Sequence, residues 1–337
     1  MIQQVISKLI HKSVLTREEA AATMMEIMQG KATSAQMGAF ITALRFFGET
    51  SEVITGCAET MQAHATPIIC SDPHAIDLVG TGGDGSHTFN ISTTAAFVVA
   101  GAGVTVAKHG SYGVSSRCGS ANVLSELGVD LTYGPQKMQA ALEKIGIAFL
   151  FAPALHPAMK HVVGPRKELG IRSIFNILGP LCNPAKVKNG VLGVFSSELL
   201  PLIANASQQL GATRLFVVHG KDGLDELTTT TQTRVIEINH GKMDEYEIDP
   251  SDLGFSMAKT SDLVGGDPSE NAAITRAILQ GEKGARRDIV LLNATYAILA
   301  SGKVDSLEDA LKWAKTSIDS GAAFAKLNAL ADFSRSS

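Results

Sequence analysis

Four cysteines in 337 residues, Cys57, Cys70, Cys118 and Cys182, stand far apart and form no C-x-x-C pair. That spacing offers no framework for disulfides or a zinc site, and reduced thiols in a cytoplasmic protein are the expectation. Charge of either sign is not in excess: 29 Lys and Arg face 33 Asp and Glu, a net −4. Sequence-independent nucleic-acid binding relies on a basic surface, so no nucleic-acid partner is expected. Long hydrophobic runs are missing too. The longest, Ala95 to Ala107, is too short and too rich in glycine to span a bilayer. The N-terminal MIQQVISKLIHKSVLTREEA carries charges inside its apolar stretch and does not resemble a signal peptide. A soluble, cytoplasmic chain with no membrane partner is expected.

What is present points to two domains, or one large domain with an appendage, at the usual size of about 150 residues each. Hydrophobic residues at 45% and charged residues at 18% are ample for a buried core. Up to about residue 70 the pattern is helical only. Ile2, Val5, Ile6, Leu9 and Ile10 recur at helical spacing, and Thr16 with Glu19 makes a capping box for a second helix that stops at Gly30. Ser34 caps a third helix ending at Gly48, and Thr50 or Ser51 a fourth running to about His64. From Ser71 short β-type runs appear at Ile76–Val79, Val104–Ala107, Ile147–Phe151, Val191–Phe195, Leu215–Val218 and Val235–Ile238. Helical patterns lie between most of them, at Thr93–Ala100, Ala121–Leu127, Gln136–Ile145 and Glu198–Leu210, and helices return from about Ser269. Neither a low-complexity linker nor an internal repeat interrupts the chain. The expected fold class is α/β: a small all-helical N-terminal domain, residues 1–70, and a larger α/β domain, residues 71–337, with a mostly parallel central sheet. Helices from about 156–180 are expected to join the small domain. On such sheets ligands sit beyond the strand C-termini.

Ten of the 32 glycines fall between Gly80 and Gly128, marking loops where backbone turns sharply or approaches a ligand. The segment from Asp77 to Thr93, DLVGTGGDGSHTFNIST, runs from an apolar strand through a glycine loop into a helix that starts near Ser92. Backbone N–H groups freed by glycine, beside a helix N-terminus, make a site for phosphate or pyrophosphate. Gly80, Gly82 and Gly85 also satisfy G-x-G-x-x-G. That fingerprint needs the helix to open at the third glycine and an acid about 20 positions on. Here the helix is delayed, and the next strand ends in Lys108-His109-Gly110, basic where an acid should stand. A nicotinamide site is therefore disfavoured.

The second strand leads into KHGSYGVSSRCGS, Lys108 to Ser120, which adds a fixed cation, a histidine, hydroxyls and three more glycines at the same sheet edge. Ser115, Ser116 and Ser120 are placed either to donate to phosphate oxygens or to cap a helix. Asp225 and Glu226, just past the strand Leu215–Val218, make either a solvated pair or a magnesium site. His156 and His161 are five apart, poor spacing for a shared metal on one helix face, and are expected to be structural or hydrogen-bonded. Arg166 or Arg172 offers a bidentate clamp for a carboxylate; either could equally pair with Glu168 or cap a helix.

Taken together these segments resemble the anthranilate phosphoribosyltransferase family. The matching pieces are GTGGDG at Gly80, NISTT at Asn90, KHG at Lys108, VSS at Val114, GS at Gly119, HPAMKHV at His156, GIRSIFNILGPLCNPA at Gly170 and DELT at Asp225, in order across nearly the whole chain. The resemblance implies a fold of the nucleoside phosphorylase and phosphoribosyltransferase type, with substrates meeting between a helical and an α/β domain, and a homodimer joined through the helical domain. It implies transfer of the phosphoribosyl group of phosphoribosyl pyrophosphate (PRPP) to the amine of anthranilate, assisted by Mg²⁺. Carried over by position, Gly80, Gly83, Asp84, Thr88, Asn90, Ile91, Ser92, Thr93, Lys108, His109, Gly110, Ser111, Tyr112, Gly113, Val114, Ser115, Ser116 and Ser120 would hold PRPP. Ser92, Asp225 and Glu226 would bind magnesium, and Gly80, Ser111 and Arg166 would meet anthranilate. The family commonly continues KHG with Asn and often Arg, where this chain has Ser111 and Tyr112. The shorter Ser111 and the uncharged Tyr112 bear on the acceptor side of the site.

Attack at the anomeric carbon of a pyrophosphorylated ribose passes through a transition state of oxocarbenium character, while charge grows on the leaving pyrophosphate. An aromatic amine is already neutral at pH 7, so no strong general base is required, in keeping with the lack of a Ser-His-Asp or paired-acid arrangement. His109 is placed to orient the acceptor, to relay a proton, or to serve the structure. Two other readings are a pyrimidine nucleoside phosphorylase-like enzyme, which would use free phosphate and need no diacid, and a non-catalytic nucleic-acid-binding relative.

Overall fold

The computed structural model describes residues 1–113 and 117–336. The chain opens with four helices, α1 (Ile2–Ile10), α2 (Arg17–Met28), α3 (Ser34–Phe47) and α4 (Ser51–Ala63). Thr16 and Glu19 close the expected capping box on α2. On α3 the cap is Thr33, not Ser34. An N-cap needs extended backbone and an acceptor reaching the third residue on. Thr33 has both, with Gln36 returning the bond, whereas Met37 stands three past Ser34.

Seven strands follow: β1 (Ile76–Gly80), β2 (Val106–Gly110), β3 (Ile147–Phe151), β4 (Asn189–Gly193), β5 (Arg214–Gly220), β6 (Thr233–Asn239) and β7 (Lys242–Ile248). They lie in one sheet in the order β3-β2-β1-β4-β5-β6-β7. The first five are parallel and the last two antiparallel, so the sheet is mostly parallel as expected. β7, KMDEYEI, has no counterpart among the expected strands. It is a charged, exposed edge strand without an apolar face, created by a tight turn in which His240 and Gly241 both take positive φ. Between and after the strands run α5 (Ile91–Gly101), α6 (Ser120–Glu126), α7 (Pro135–Ile145), α8 (Ala152–Leu155), α9 (Lys160–Leu169), α10 (Phe175–Leu178), α11 (Leu199–Gln209), α12 (Pro268–Leu279), α13 (Ala285–Ala300), α14 (Leu307–Asp319) and α15 (Ala322–Arg335).

One apolar cluster joins Val5, Met24, Ile27, Phe40, Ile41 and Ile54 of the first four helices to Val162, Phe175, Ile177 and Leu178 of α9 and α10. It continues through Leu200 and Ile203 of α11 onto Leu192 and Val217 of the sheet. A second cluster, built on α5, α13 and α15, covers the other side with Phe97, Val98, Leu292, Ile298 and Leu327. The strand order reverses between β1 and β4, whose register pairs Gly80 with Gly193. The strand C-termini therefore open at a topological switch point, the place where such sheets bind ligands.

Candidate active site

β1 ends at Gly80 and α5 begins at Ile91, and the loop between them is built on left-handed backbone. Gly82, Gly83 and Gly85 take φ of +67°, +74° and +77°, angles that glycine alone adopts without strain. Thr81 anchors the loop to the neighbouring strand. Its N–H donates to Gly193 (3.0 Å), and its hydroxyl accepts from the Phe195 N–H (3.1 Å). Thr88 bridges to Val264, flanked by Phe89 N–H donating to Leu263 (3.1 Å) and Gly265 N–H to His87 (2.9 Å). The Asn90 side chain is committed to the scaffold, giving to Cys118 O (3.2 Å) and accepting from Asn271 (3.1 Å). Asn90 thus sits at the N-cap without capping, and the first turn of α5 is met by other groups, Ile91 N–H donating to Phe89 O (2.8 Å).

The diacid closes on this loop from β5. Gly82 N–H donates to Asp225 Oδ2 (2.6 Å) and Ser92 N–H to Glu226 Oε1 (3.2 Å). A Cβ at Gly80 would strike the Asp225 carboxylate, so only glycine lets the acid approach. Lys108, 4% exposed, reaches in from β2 with Nζ 2.5 Å from Leu78 O and 3.5 Å from Ser92 Oγ. Burial pushes both carboxyls above their usual range, with Asp84 adding to the effect on Asp225 and Asp225 to that on Glu226. Burial lowers Lys108, and the facing Asp77, Glu226 and Asp225 hold it up. Ser92, Lys108, Asp225 and Glu226 thus lie together at the strand ends, and Asp84 lies close enough to be felt by Asp225.

Ser120 opens α6, its Oγ donating to Ser111 O (3.2 Å). The turn around Ser111, Tyr112 and Gly113 is tied by Asn122, whose Oδ1 accepts from Gly113 N–H (3.2 Å) and Gly119 N–H (3.0 Å). Tyr112 is half exposed and sets its ring edge-on to Phe151 with centroids 5.2 Å apart. Val114, Ser115 and Ser116 lie outside the described residues.

The segment between α8 and β4 brings further groups to the same edge. His109 Nδ1 faces Gly179 O at 3.2 Å. A carbonyl only accepts, so Nδ1 carries the proton and Nε2 is left as acceptor toward His156 Nε2, 3.2 Å away. Burial holds both imidazoles neutral, His109 at about 3 and His156 at about 4. Asp77, raised to about 6 by burial, accepts from His109 N–H (3.2 Å) and Asn183 Nδ2 (2.7 Å). Arg166, on α9, packs its guanidinium over Phe175 at 5.6 Å and is partly buried with no carboxylate partner among the described residues. Arg172 instead donates to Gly83 O and lies 4.6 Å over the Phe195 ring. The amides Asn122, Asn183 and Asn271, which hold the loops from behind, are not among the site residues expected from the sequence.

The glycosyl transferase family's helical bundle domain matches residues 3–65 and its a/b domain residues 72–324. The anthranilate phosphoribosyltransferase of Desulfosudis oleivorans is 51% identical over 337 residues, covering 100% of this chain and 99% of its own. That of Geobacter sulfurreducens is 51% identical, with 98% of each chain covered. Among solved structures, anthranilate phosphoribosyltransferase from Thermus thermophilus superposes with a TM-score of 0.94 at 43% identity, over 98% of this chain and 99% of that one. The Saccharomyces cerevisiae enzyme in complex with PRPP and Mg gives 0.91 at 29% identity, over 99% and 97%. The two other readings of the sequence find no support among these relatives. Matched from end to end by proteins sharing half its residues, the chain belongs to the anthranilate phosphoribosyltransferase family.

Proposed function

We propose that this chain transfers the 5-phosphoribosyl group of PRPP to the amine of anthranilate, giving N-(5-phosphoribosyl)anthranilate and pyrophosphate. The observation that carries the reading is the convergence of the glycine loop, the α5 N-terminus, Lys108 and the Asp225–Glu226 diacid at one sheet edge. The C1–O bond to pyrophosphate breaks as the amine nitrogen bonds to C1, and the amine loses one proton to solvent. Loop N–H groups and Lys108 meet the charge that grows on the leaving pyrophosphate. Ser111 to Gly113 and the glycine loop hold the donor, while Arg166 pairs with the anthranilate carboxylate, its half-buried guanidinium lacking another acid among the described residues. His109 orients the site through Gly179 and His156, both ring nitrogens being occupied.

Magnesium fits the residues present. Asp225 and Glu226 face Lys108 across the site, and two largely enclosed acids with a hydroxyl suit an ion that keeps waters and substrate phosphates. Ser92, Asp225 and Glu226 would hold it, and it would supply neutralisation of pyrophosphate charge. In this reading residues 1–70, with helices of 156–180, form one wall of the cleft and residues 71–337 the other.

A homodimer is part of the proposal. Ile10, Val14, Phe46 and Val163 leave large apolar side chains exposed on and beside α1, α3 and α9, which pack together. A cytoplasmic setting agrees with the thiols of Cys57, Cys70 and Cys182, which form no disulfide. No helix among the described residues is long and apolar enough to cross a membrane. The test is pyrophosphate release from PRPP, expected only when anthranilate is present. Phosphate-dependent release of base from a pyrimidine nucleoside, without that activity, would overturn the reading.

A further inference from the structure

Residues Ile289 to Ala300 of α13 are buried without a break, and Asn293 in their midst is 0% exposed. Asparagine is a poor helix former, and an amide in apolar surroundings is costly unless its groups are bonded. Here each is. Oδ1 accepts from Leu227 N–H (3.1 Å), while Nδ2 donates to Leu227 O (2.8 Å) and to Ile289 O (2.9 Å). The amide thus grips both main-chain groups of one loop residue, as a neighbouring strand would.

Leu227 directly follows Asp225 and Glu226. On the site side those acids are held by Gly82 N–H and Ser92 N–H; on the far side their backbone is held by Asn293. Two adjacent carboxylates, one buried and one half-buried, repel each other, so a loop of no regular structure needs a fixed anchor to keep them converging. We infer that Asn293 is a positioning residue for the divalent-cation site, fixing the Leu227 backbone so that Asp225 and Glu226 are presented together. The inference rests on the reading of those acids as magnesium ligands.

Outer partners of metal ligands commonly change affinity by about 10- to 100-fold when removed. The test is calorimetric titration of the protein, with PRPP present and anthranilate absent, by Mn²⁺ as the probe. Asn293→Leu removes both bonds to Leu227, and Asn293→Asp keeps the acceptor but loses the donor when ionised. Thr295→Val, on the same helix and equally buried, with Oγ1 donating to Leu291 O (2.7 Å), controls for damage to the core. The expected result is Mn²⁺ binding about tenfold weaker in Asn293→Leu and less weakened in Asn293→Asp. It should be unchanged in Thr295→Val, with the KM for anthranilate unaltered throughout. Folded Asn293 variants with wild-type Mn²⁺ affinity would overturn the inference, as would an equal loss in Thr295→Val. So would failure of both Asn293 variants to fold where Thr295→Val folds, since the amide would then serve the core alone. Wild-type protein that binds no Mn²⁺ would instead overturn the magnesium reading, and the inference with it.

Discussion

Arg166 and Arg172 are six residues apart in the sequence, which offers either as a carboxylate clamp, and the structure gives them different surroundings. Arg172 is tied to the glycine loop through Gly83 O and stacked on Phe195. Arg166 is half buried, with its charge unopposed by any described acid. Arg172→Ala should therefore raise the KM for PRPP by roughly tenfold, the size of one charge-assisted bond, and leave that for anthranilate unchanged. Arg166→Ala should do the reverse. Initial rates with each substrate varied in turn would check both, and equal effects on the two substrates would remove the distinction. Residues with a motif signature, such as Gly80, Lys108 and Asp225, were legible because their chemistry demands those types at that spacing. Asn183, Asn271 and Asn293 were not. A buried amide declares itself only through partners distant in sequence, although Asn293 does interrupt an apolar helical run.

Among the elements, the parallel strands were legible because apolar runs bounded by glycine mark strands buried on both faces. Their ends were less so. β2 and β4 each begin two residues from the expected start, since register with β1, and the Asn189 amide bonded to Pro73 O and Ala75 O, decides where pairing begins. β7 escaped because its residues face solvent and its pairing comes from the turn. The start of α3 is a sharper case. Thr33→Ala should cost about 1 kcal/mol and Ser34→Ala a few tenths, because only Thr33 accepts from Gln36 N–H. Urea unfolding of the two variants measures this, and equal losses would contradict the assignment.

For the molecule as a whole, buried neutral histidines set the response to acid. The folded His156 lies at about 4 against 6.5 in the unfolded chain, so between those values the unfolded chain binds more protons. Its contribution is therefore present at pH 7 and lost as pH falls toward 4. Asp77, raised to about 6, has the opposite sign: the folded state binds more protons between pH 3.8 and 6. The stability advantage of wild type over His156→Asn should shrink by about 2–3 kcal/mol between pH 7 and 4. An advantage independent of pH in unfolding curves would contradict this.

Association should follow the helical face. Phe46 is 86% exposed on α3, and under the proposed dimer Phe46→Asp should yield a monomer in sedimentation without loss of fold. A monomeric wild type would count against the dimer.

Whether the converging loops form a phosphoribosyl-transfer site is tested most directly by following anthranilate fluorescence with PRPP present and magnesium added last. Wild type should consume the signal only when all three are present, and Asp225→Asn with Glu226→Gln should need far more magnesium for the same rate. A flat trace from folded protein that still binds PRPP would contradict anthranilate as the acceptor. Wild-type activity of the double variant at limiting magnesium would contradict the metal assignment.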